Sequence, residues 1–424
     1  MIALLLLVVS SIAPGVDLES PRLARLAESH RSGDAAALAD FWREIAGKAP
    51  LVESIAGDPE HVLVTFLWRG DSTTERAVLG GGVPDGCGEK PLQLLPGTDL
   101  WYRTERVPSK ARFSYRFRLN APADAPRSYD QIAARERGYP TRSDPLNPST
   151  HPLDGSMVRL SAAAPLPATD GRELRGRVQE TTIDSAVLHG TRPLWIYTPP
   201  GHESSRAAHD LLVVLDGRVG LNALRVPALL EDLTARGTIR PTVAVFVGSP
   251  SPTVRADDYL GSTAFVDFLA GELIPMMQTR YRVSRSPAHH VIAGVSLGGF
   301  AATFAAYTRP DIFGGVISLS GAHWYYPGWR SQPIEPWTET GWLTRRIAAT
   351  PRKPLRVFLA AGTMESACPY SYLAENRRLA DVLTALRYPV RYVELIGGHD
   401  VENWLLTMPA ALDYVLGRGT SPPR

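Results

Sequence analysis

Residues 289–306 read HHVIAGVSLGGFAATFAA, and this stretch decides the fold. An apolar, β-branched run (His290–Val295) stops at a serine, and a small-residue run with helical character follows. Between them lies Gly294-x-Ser296-x-Gly298, extended by Gly299. A strand that turns sharply into a helix crowds its own backbone, so the residues around the turn must be small. The side chain at the bend then projects from the carboxyl edge of the sheet. Ser296 is therefore the candidate nucleophile. The string alone is weak evidence, and the strand before it and helix after it make it strong.

Working outward, strands and helices alternate from about residue 176. RPLWIYTPP, DLLVVLDG, PTVAVFVGS, GGVISLSG, PLRVFLAAG and VRYVELIGG read as strands. STAFVDFLAGELIPMMQTRY and YLAENRRLADVLTAL read as helices. That order implies βαβ units, a mostly parallel central sheet and a ligand site beyond the carboxyl ends of its strands. The first part of the chain differs. Residues 20–50 show helical spacing, and from about 60 to 118 short aromatic and β-branched runs imply a small all-β sandwich. In ARFSYRFRL, Phe113, Tyr115 and Phe117 alternate with Arg112, Arg116 and Arg118 opposite or flanking, as expected of a half-buried strand. The expected division is a leader at 1–19, helix plus sandwich at 20–145, a linker at 146–175 rich in Pro, Ser and Asp, and a catalytic module at 176–424.

The chain has 424 residues, 44% of them hydrophobic and 21% charged, with a net charge of +2. That balance, without a basic block, points away from nucleic acid and from a membrane surface as partners. Two cysteines, Cys87 and Cys368, offer no metal-ligand spacing, and the simplest reading is two unpaired thiols. The N-terminal run MIALLLLVVSSIAPG is shorter than the ~20 apolar residues of a membrane span and suits a signal segment. It lacks a basic n-region, and Pro14 follows the best cleavage site. The expectation is a periplasmic or secreted protein, with a cytoplasmic location as the alternative.

A serine hydroxyl needs a base, and the base needs an orienting acid. In this architecture the chain order is Ser, acid, His. Of ten histidines only His323 and His399 follow Ser296. His399, in LIGGHD just past a strand, is the expected base, and His323 is expected to line a pocket. Glu365 follows the strand PLRVFLAAG at GTMES and is the expected acid. Asp381 falls inside a helix, and Asp400 is badly placed to hold its neighbour's ring. The oxyanion donors expected are the amides of Leu297 and of the LDGRVG turn, where Gly217 and Arg218 are candidates.

These segments resemble a known family. FLWRG (66–70), PGTDLWYRT (96–104), DPLNP (144–148), VVLDG (213–217), GVSLGG (294–299), the AAGTMES turn and GGHD with Trp404 keep the order of the enterochelin (ferric enterobactin) esterases, whose catalytic half is an esterase-D-like α/β-hydrolase. The resemblance implies a Ser296–Glu365–His399 triad and a sandwich covering the active-site mouth. It implies a catecholate trilactone siderophore as substrate, with or without iron, and no cofactor; iron would arrive with the substrate. Arg218, Arg255, Trp324, Tyr325 and Trp404 are the candidate substrate contacts: cations for an anionic ligand, flat rings for catechols. Tyr326 belongs with these aromatics. Asp258 stands where these esterases often carry glutamate. The alternatives are a feruloyl or acetyl carbohydrate esterase of the same fold, and a binding protein without turnover.

Overall fold

The computed structural model describes residues 19–81, 89–124, 129–168, 173–329, 341–366 and 371–418. The apolar N-terminal run and both cysteines lie outside them.

Two short helices open the described chain, Pro21–Arg31 and Ala37–Ile45. Ser20 caps the first by accepting from Leu23 N at 3.2 Å, and Pro21 occupies a position where a missing N–H costs nothing. Leu23, Leu26, Phe41, Trp42 and Ile45 form one apolar face, which packs on Leu67, Leu100 and Tyr102 of the sheet beneath.

That sheet has four strands in the order Leu51–Ile55, Asp58–Arg69, Leu100–Pro108, Gln93–Leu94. A five-stranded sheet faces it: Lys90–Pro91, Ala77–Gly81, Arg112–Leu119, Gly155–Arg159, Thr150–His151. Val64, Phe66, Leu79, Val107, Phe113, Tyr115 and Phe117 fill the space between. The sandwich therefore runs to about residue 159, because inside the expected 146–175 linker Gly155–Arg159 pairs with Arg112–Leu119 and Thr150–His151 pairs with Gly155–Arg159 in turn. The DPLNP segment locks this corner. Buried Asp144 accepts from Tyr115 Oη at 2.6 Å and Leu146 N at 2.8 Å, and Asn147 Nδ2 donates to Met157 O at 3.0 Å.

The half-buried reading of ARFSYRFRL needs correction. Arg112 and Arg118 are also buried, 6% and 5% exposed, because the strand's second face is covered. Arg118 pairs with Glu89 and Glu136, and Arg112 docks on the catalytic module beside Glu402.

The catalytic module is an eight-stranded sheet. In spatial order the strands are Arg177–Ser185, Gly190–Thr198, Thr242–Val247, Asp210–Leu215, His290–Val295, Gly315–Leu319, Arg356–Gly362 and Val390–Leu395. The first two join the rest antiparallel, and from Thr242–Val247 onward every neighbour is parallel. Helices cover both faces, so the central strands are apolar on both sides. Leu211, Val213 and Leu215 enter one core, Leu212 and Val214 the other. This is the expected α/β-hydrolase arrangement. It places the ends of the strands at 295, 319, 362 and 395 along one edge.

Candidate active site

Ser296 sits at φ 56°, ψ −123°, between the strand His290–Val295 and the helix Leu297–Thr308. The bend is possible only with glycine nearby: a Cβ on Gly294 would lie 2.2 Å from Gly298 O. Two backbone bonds pin it, Ser296 N to Leu319 O at 2.9 Å and Ala322 N to Ser296 O at 3.0 Å. The hydroxyl thus stands over the first turn of a helix, where unpaired N–H groups favour negative charge.

The structure brings the three expected residues together. His399 Nε2 lies 2.9 Å from Ser296 Oγ, and His399 Nδ1 lies 2.8 Å from Glu365 Oε2. A carboxylate only accepts, so Nδ1 carries the proton and Nε2 is left to accept from the serine. Glu365 is 4% exposed and held on its other oxygen, which accepts from Ser320 Oγ and Gly362 N, both at 2.7 Å. Trp404 Nε1 donates to Ser320 Oγ at 2.9 Å. Ser320, at φ 47°, is therefore a supporting residue that sequence reading missed. The available signal was a serine at the carboxyl end of the neighbouring strand, in SLSG.

Two rings clamp His399. Tyr372 lies with its centroid 4.3 Å away, and Trp404 meets it edge-on at 5.1 Å. Asp400 does not orient the imidazole. It caps the last helix, Val401–Leu416, by accepting from Asn403 N at 3.1 Å. Asp381 is exposed on its helix, as its position implied.

The sandwich braces the loop that carries His399. Arg112 N donates to Ile396 O at 3.2 Å, and Asp154 Oδ2 accepts from Val401 N at 2.9 Å. Arg159 Nε reaches Glu402 Oε2 at 2.8 Å. Asp400 is fully buried beside this contact. Burial, reinforced by the nearby Asp154 carboxylate, pushes its pKa well above the ordinary range. Burial also raises Asp154, against the Val401 N–H that favours its charge.

The two turns that carry the expected oxyanion donors lie side by side. Gly298 lies against the Asp216–Gly217 turn, since a Cβ there would be 2.9 Å from Asp216 Oδ2. Among the described residues neither Leu297 N nor Gly217 N donates to a protein acceptor. The turn is set by Asp216 at φ 58°, whose carboxylate takes a two-pronged contact from Arg255, Nε–Oδ1 2.5 Å and Nη2–Oδ2 2.6 Å. Burial opposes the Arg255 charge, and Asp216 more than offsets it, so its pKa moves up. Beside this turn opens a cleft of about 510 Å³, lined by Trp195, Gly217, Arg218, Ser249 and Arg255 among others. Arg218 is exposed there, 5.1 Å from the Trp195 ring. Trp195 was not singled out in the sequence, because a tryptophan inside a strand reads as core.

Several expected contacts sit differently. Arg255 spends its guanidinium on Asp216 rather than presenting it free to a ligand. Trp324, Tyr325 and Tyr326 are buried in the core behind the triad, at 4%, 7% and 6% exposure. Tyr325 packs on Phe300 at 4.9 Å, and Trp324 on Tyr372 at 6.0 Å. Tyr325 and Tyr326 are core residues rather than an open catechol surface. Trp404 stays at the site through His399 and Ser320. His323 does not line a pocket; it is fully buried, and burial lowers its pKa to about 3. Asp258 is buried against Arg192, with Nε–Oδ2 at 2.9 Å.

Fold and geometry define an ester hydrolase of the α/β class. The putative esterase family matches residues 185–415, and the N-terminal domain of enterochelin esterases matches residues 63–170. The chain belongs to the enterochelin esterase family and is a carboxylic ester hydrolase. An iron(III) salmochelin esterase of Escherichia coli O6:H1 (strain CFT073) is 26% identical over 394 residues, covering 90% of this chain and 94% of the relative. An iron(III) enterobactin esterase of Dickeya dadantii is 27% identical over 430 residues, covering 90% and 93%. Among solved structures, the Shigella flexneri enterobactin esterase in the presence of enterobactin superposes with a TM-score of 0.68 at 26% identity, covering 89% of this chain and 97% of that one.

Proposed function

We propose that the enzyme hydrolyses the ester bonds of a catecholate trilactone siderophore, iron-loaded or apo, through an acyl-enzyme on Ser296. The observation that carries the mechanism is the unbroken hydrogen-bond chain from Ser296 through His399 to Glu365 at a strand-to-helix bend. His399 takes the serine proton as Oγ attacks the ester carbonyl, and Glu365 stabilises the imidazolium. The N–H groups of Leu297 and Gly217, with Arg218 N as the further candidate, receive the oxyanion. His399 then protonates the leaving serine alkoxide of the substrate, and water repeats the sequence to free the acid.

The substrate class rests on the relatives and on the enterochelin-type N-terminal domain, which favours this reading over a carbohydrate ester. Exposed Arg218 beside Trp195 supports an anionic aromatic ligand in the cleft. The apolar run at the N-terminus supports export to the periplasm. Ferric and apo trilactone, incubated with the protein and resolved by mass, should give linear trimer, dimer and monomer, and Ser296→Ala should give none while melting like the wild type. Ring-opening by the alanine variant, or cleavage of feruloyl-sugar esters in preference to the trilactone, refutes the reading.

A further inference from the structure

We propose that the N-terminal sandwich carries a second substrate site, a donor-rich cavity around Arg116 that takes catecholate oxygens of the iron-loaded siderophore. The inference rests on the catecholate reading above and adds to it a place where the ferric and apo forms are told apart.

The cavity measures about 310 Å³ and is lined by Arg116, Thr141, Ser143, Thr150 and His151 among others. That volume is at the lower end of the roughly 300–1,000 Å³ of small-molecule sites. The hairpin of Thr150–His151 and Gly155–Arg159 is built around the arginine. Arg116 Nε donates to Asp154 O at 3.0 Å, Nη1 to Thr141 Oγ1 at 3.4 Å, and Nη2 to Leu153 O. Gly155, at φ 86°, makes room for it, since a Cβ there would lie 2.7 Å from Arg116 Cγ.

The proton inventory shows what the cavity offers. A guanidinium has five N–H groups, so two of Arg116 have no acceptor among the described residues. Thr141 Oγ1 accepts from Arg116 and keeps its own proton to give. Ser143 and Thr150 add exposed hydroxyls. Leu153 N donates to His151 Nδ1 at 3.3 Å, which puts the ring proton on Nε2. A second proton, drawn to Nδ1 by Asp154 Oδ2 at 3.4 Å, leaves the Nε2–H in place. The lining is thus one cation and several donors, and among the described residues no carboxylate lines it. Such a set favours an oxyanion. Catechols that ligate iron have lost their protons, whereas free phenols hold theirs near neutral pH. The cavity therefore favours the ferric form.

Its place in the fold suits a ligand with several arms. The cleft at Gly217 and Arg218 adjoins the end of Asp210–Leu215, on one side of the strand that leads to Ser296. The His399 loop follows Val390–Leu395, on the other side. Asp154, between His151 and Gly155, accepts from Val401 N at 2.9 Å, two residues past His399. With one ester of a trilactone at Ser296, one arm can enter the cleft and another can reach the sandwich.

The test is Thr150→Glu and Ser143→Glu, which set a carboxylate at exposed positions of the wall and leave the Arg116 contacts in place. The value of kcat/KM is measured for the ferric and the apo trilactone, with a p-nitrophenyl ester as reference. The ferric-to-apo ratio should fall about tenfold in each variant, Thr150→Lys should raise it, and both shifts should shrink in about 0.5 M NaCl. Arg116→Gln should lower the ratio as well, but it also loosens the hairpin, so the glutamate variants decide. A ratio within about twofold of wild type in both glutamate variants overturns the proposal, as does an equal loss for the two forms. If wild type hydrolyses the p-nitrophenyl ester and neither trilactone, the substrate reading falls with it. If both trilactones are cleaved and the ratio stays put, only the role of the cavity falls.

Discussion

Replacing Glu365 by glutamine tests the triad more sharply than deleting it. The side chain is isosteric, and its surroundings dictate which end of the amide faces which way. Oε1 accepts from Gly362 N and Ser320 Oγ at 2.7 Å each. The Gly362 N–H is donor-only, so an amide NH2 cannot occupy that position without two donors facing each other. The glutamine oxygen therefore stays there, and its NH2 points at His399 Nδ1, where Oε2 now accepts at 2.8 Å. Nδ1 becomes the acceptor and the ring proton moves to Nε2. That nitrogen, 2.9 Å from Ser296 Oγ, now donates to the serine instead of receiving from it.

The expected loss is ~10⁴ in kcat, about 5 kcal/mol of transition-state stabilisation, the scale known for an acid-to-amide change that imposes the wrong tautomer. KM and the melting temperature should scarcely move, since shape and the Ser320 and Gly362 contacts persist. Steady-state kinetics on a p-nitrophenyl ester and on the trilactone, with thermal melts, measure all three. A glutamine variant within tenfold of wild type would refute the assignment of Glu365 as the orienting acid, and a collapse in melting temperature would refute the claim that the oxygen-side contacts survive.

Two further outcomes follow from charges near the site. Arg255→Met strips the Asp216 carboxylate, whose side chain is 8% exposed, of its two-pronged partner; a stability loss of roughly 1–3 kcal/mol is expected, below a fully buried pair because the arginine is 28% exposed, and urea melts would show it. Asp400→Asn should stabilise the protein at pH 7–8. The folded-state pKa of Asp400 is raised, first by burial and then by Asp154, so its favourable contribution is complete below the unfolded value of about 4 and is lost as pH rises through the folded value. Asparagine caps the helix without ionising. The gain should therefore shrink toward pH 4, and urea midpoints across that range would contradict the argument if wild type were the more stable at pH 8.

The cluster of Ser296, Glu365 and His399 was legible because its constraints are local. Gly294 and Gly298 are required by the backbone of a single bend, and Glu365 and His399 follow strand ends in the order the sheet imposes. Ser320 was not legible, since its role comes from Trp404, a partner far away in sequence. The aromatic run 324–326 misled for a related reason. Ring composition is the same for a ligand-facing wall and for a core, and Phe300 and Trp342 decide between them by packing on Tyr325. The alternation in ARFSYRFRL correctly turned Phe113, Tyr115 and Phe117 inward, yet it could not show that the opposite face meets a second module.

That meeting ties the sandwich to the loop that carries His399. The loop from Ile396 to Val401 carries the His399 imidazole and follows an edge strand, which has a sheet neighbour on one side only. A loop so placed would be among the first parts of the sheet to open. Arg112 supplies a backbone donor to Ile396 O and a backbone acceptor to Asn403 Nδ2, so the sandwich strand continues the hydrogen bonding that the sheet lacks there. Asp154 takes the first N–H of the final helix, and Arg159 fixes Glu402 one residue further on. Met364, next to Glu365, packs into the sandwich core. The residues that flank Ser296, Glu365 and His399, are thus anchored to the N-terminal module, whereas Ser296 is anchored by its own sheet. A buried ion pair such as Arg112 with Glu402 contributes little net stability against an apolar replacement. What it does supply is one allowed position for the imidazole, and a shift of about 1 Å at that ring would cost far more in rate than the pair costs in folding.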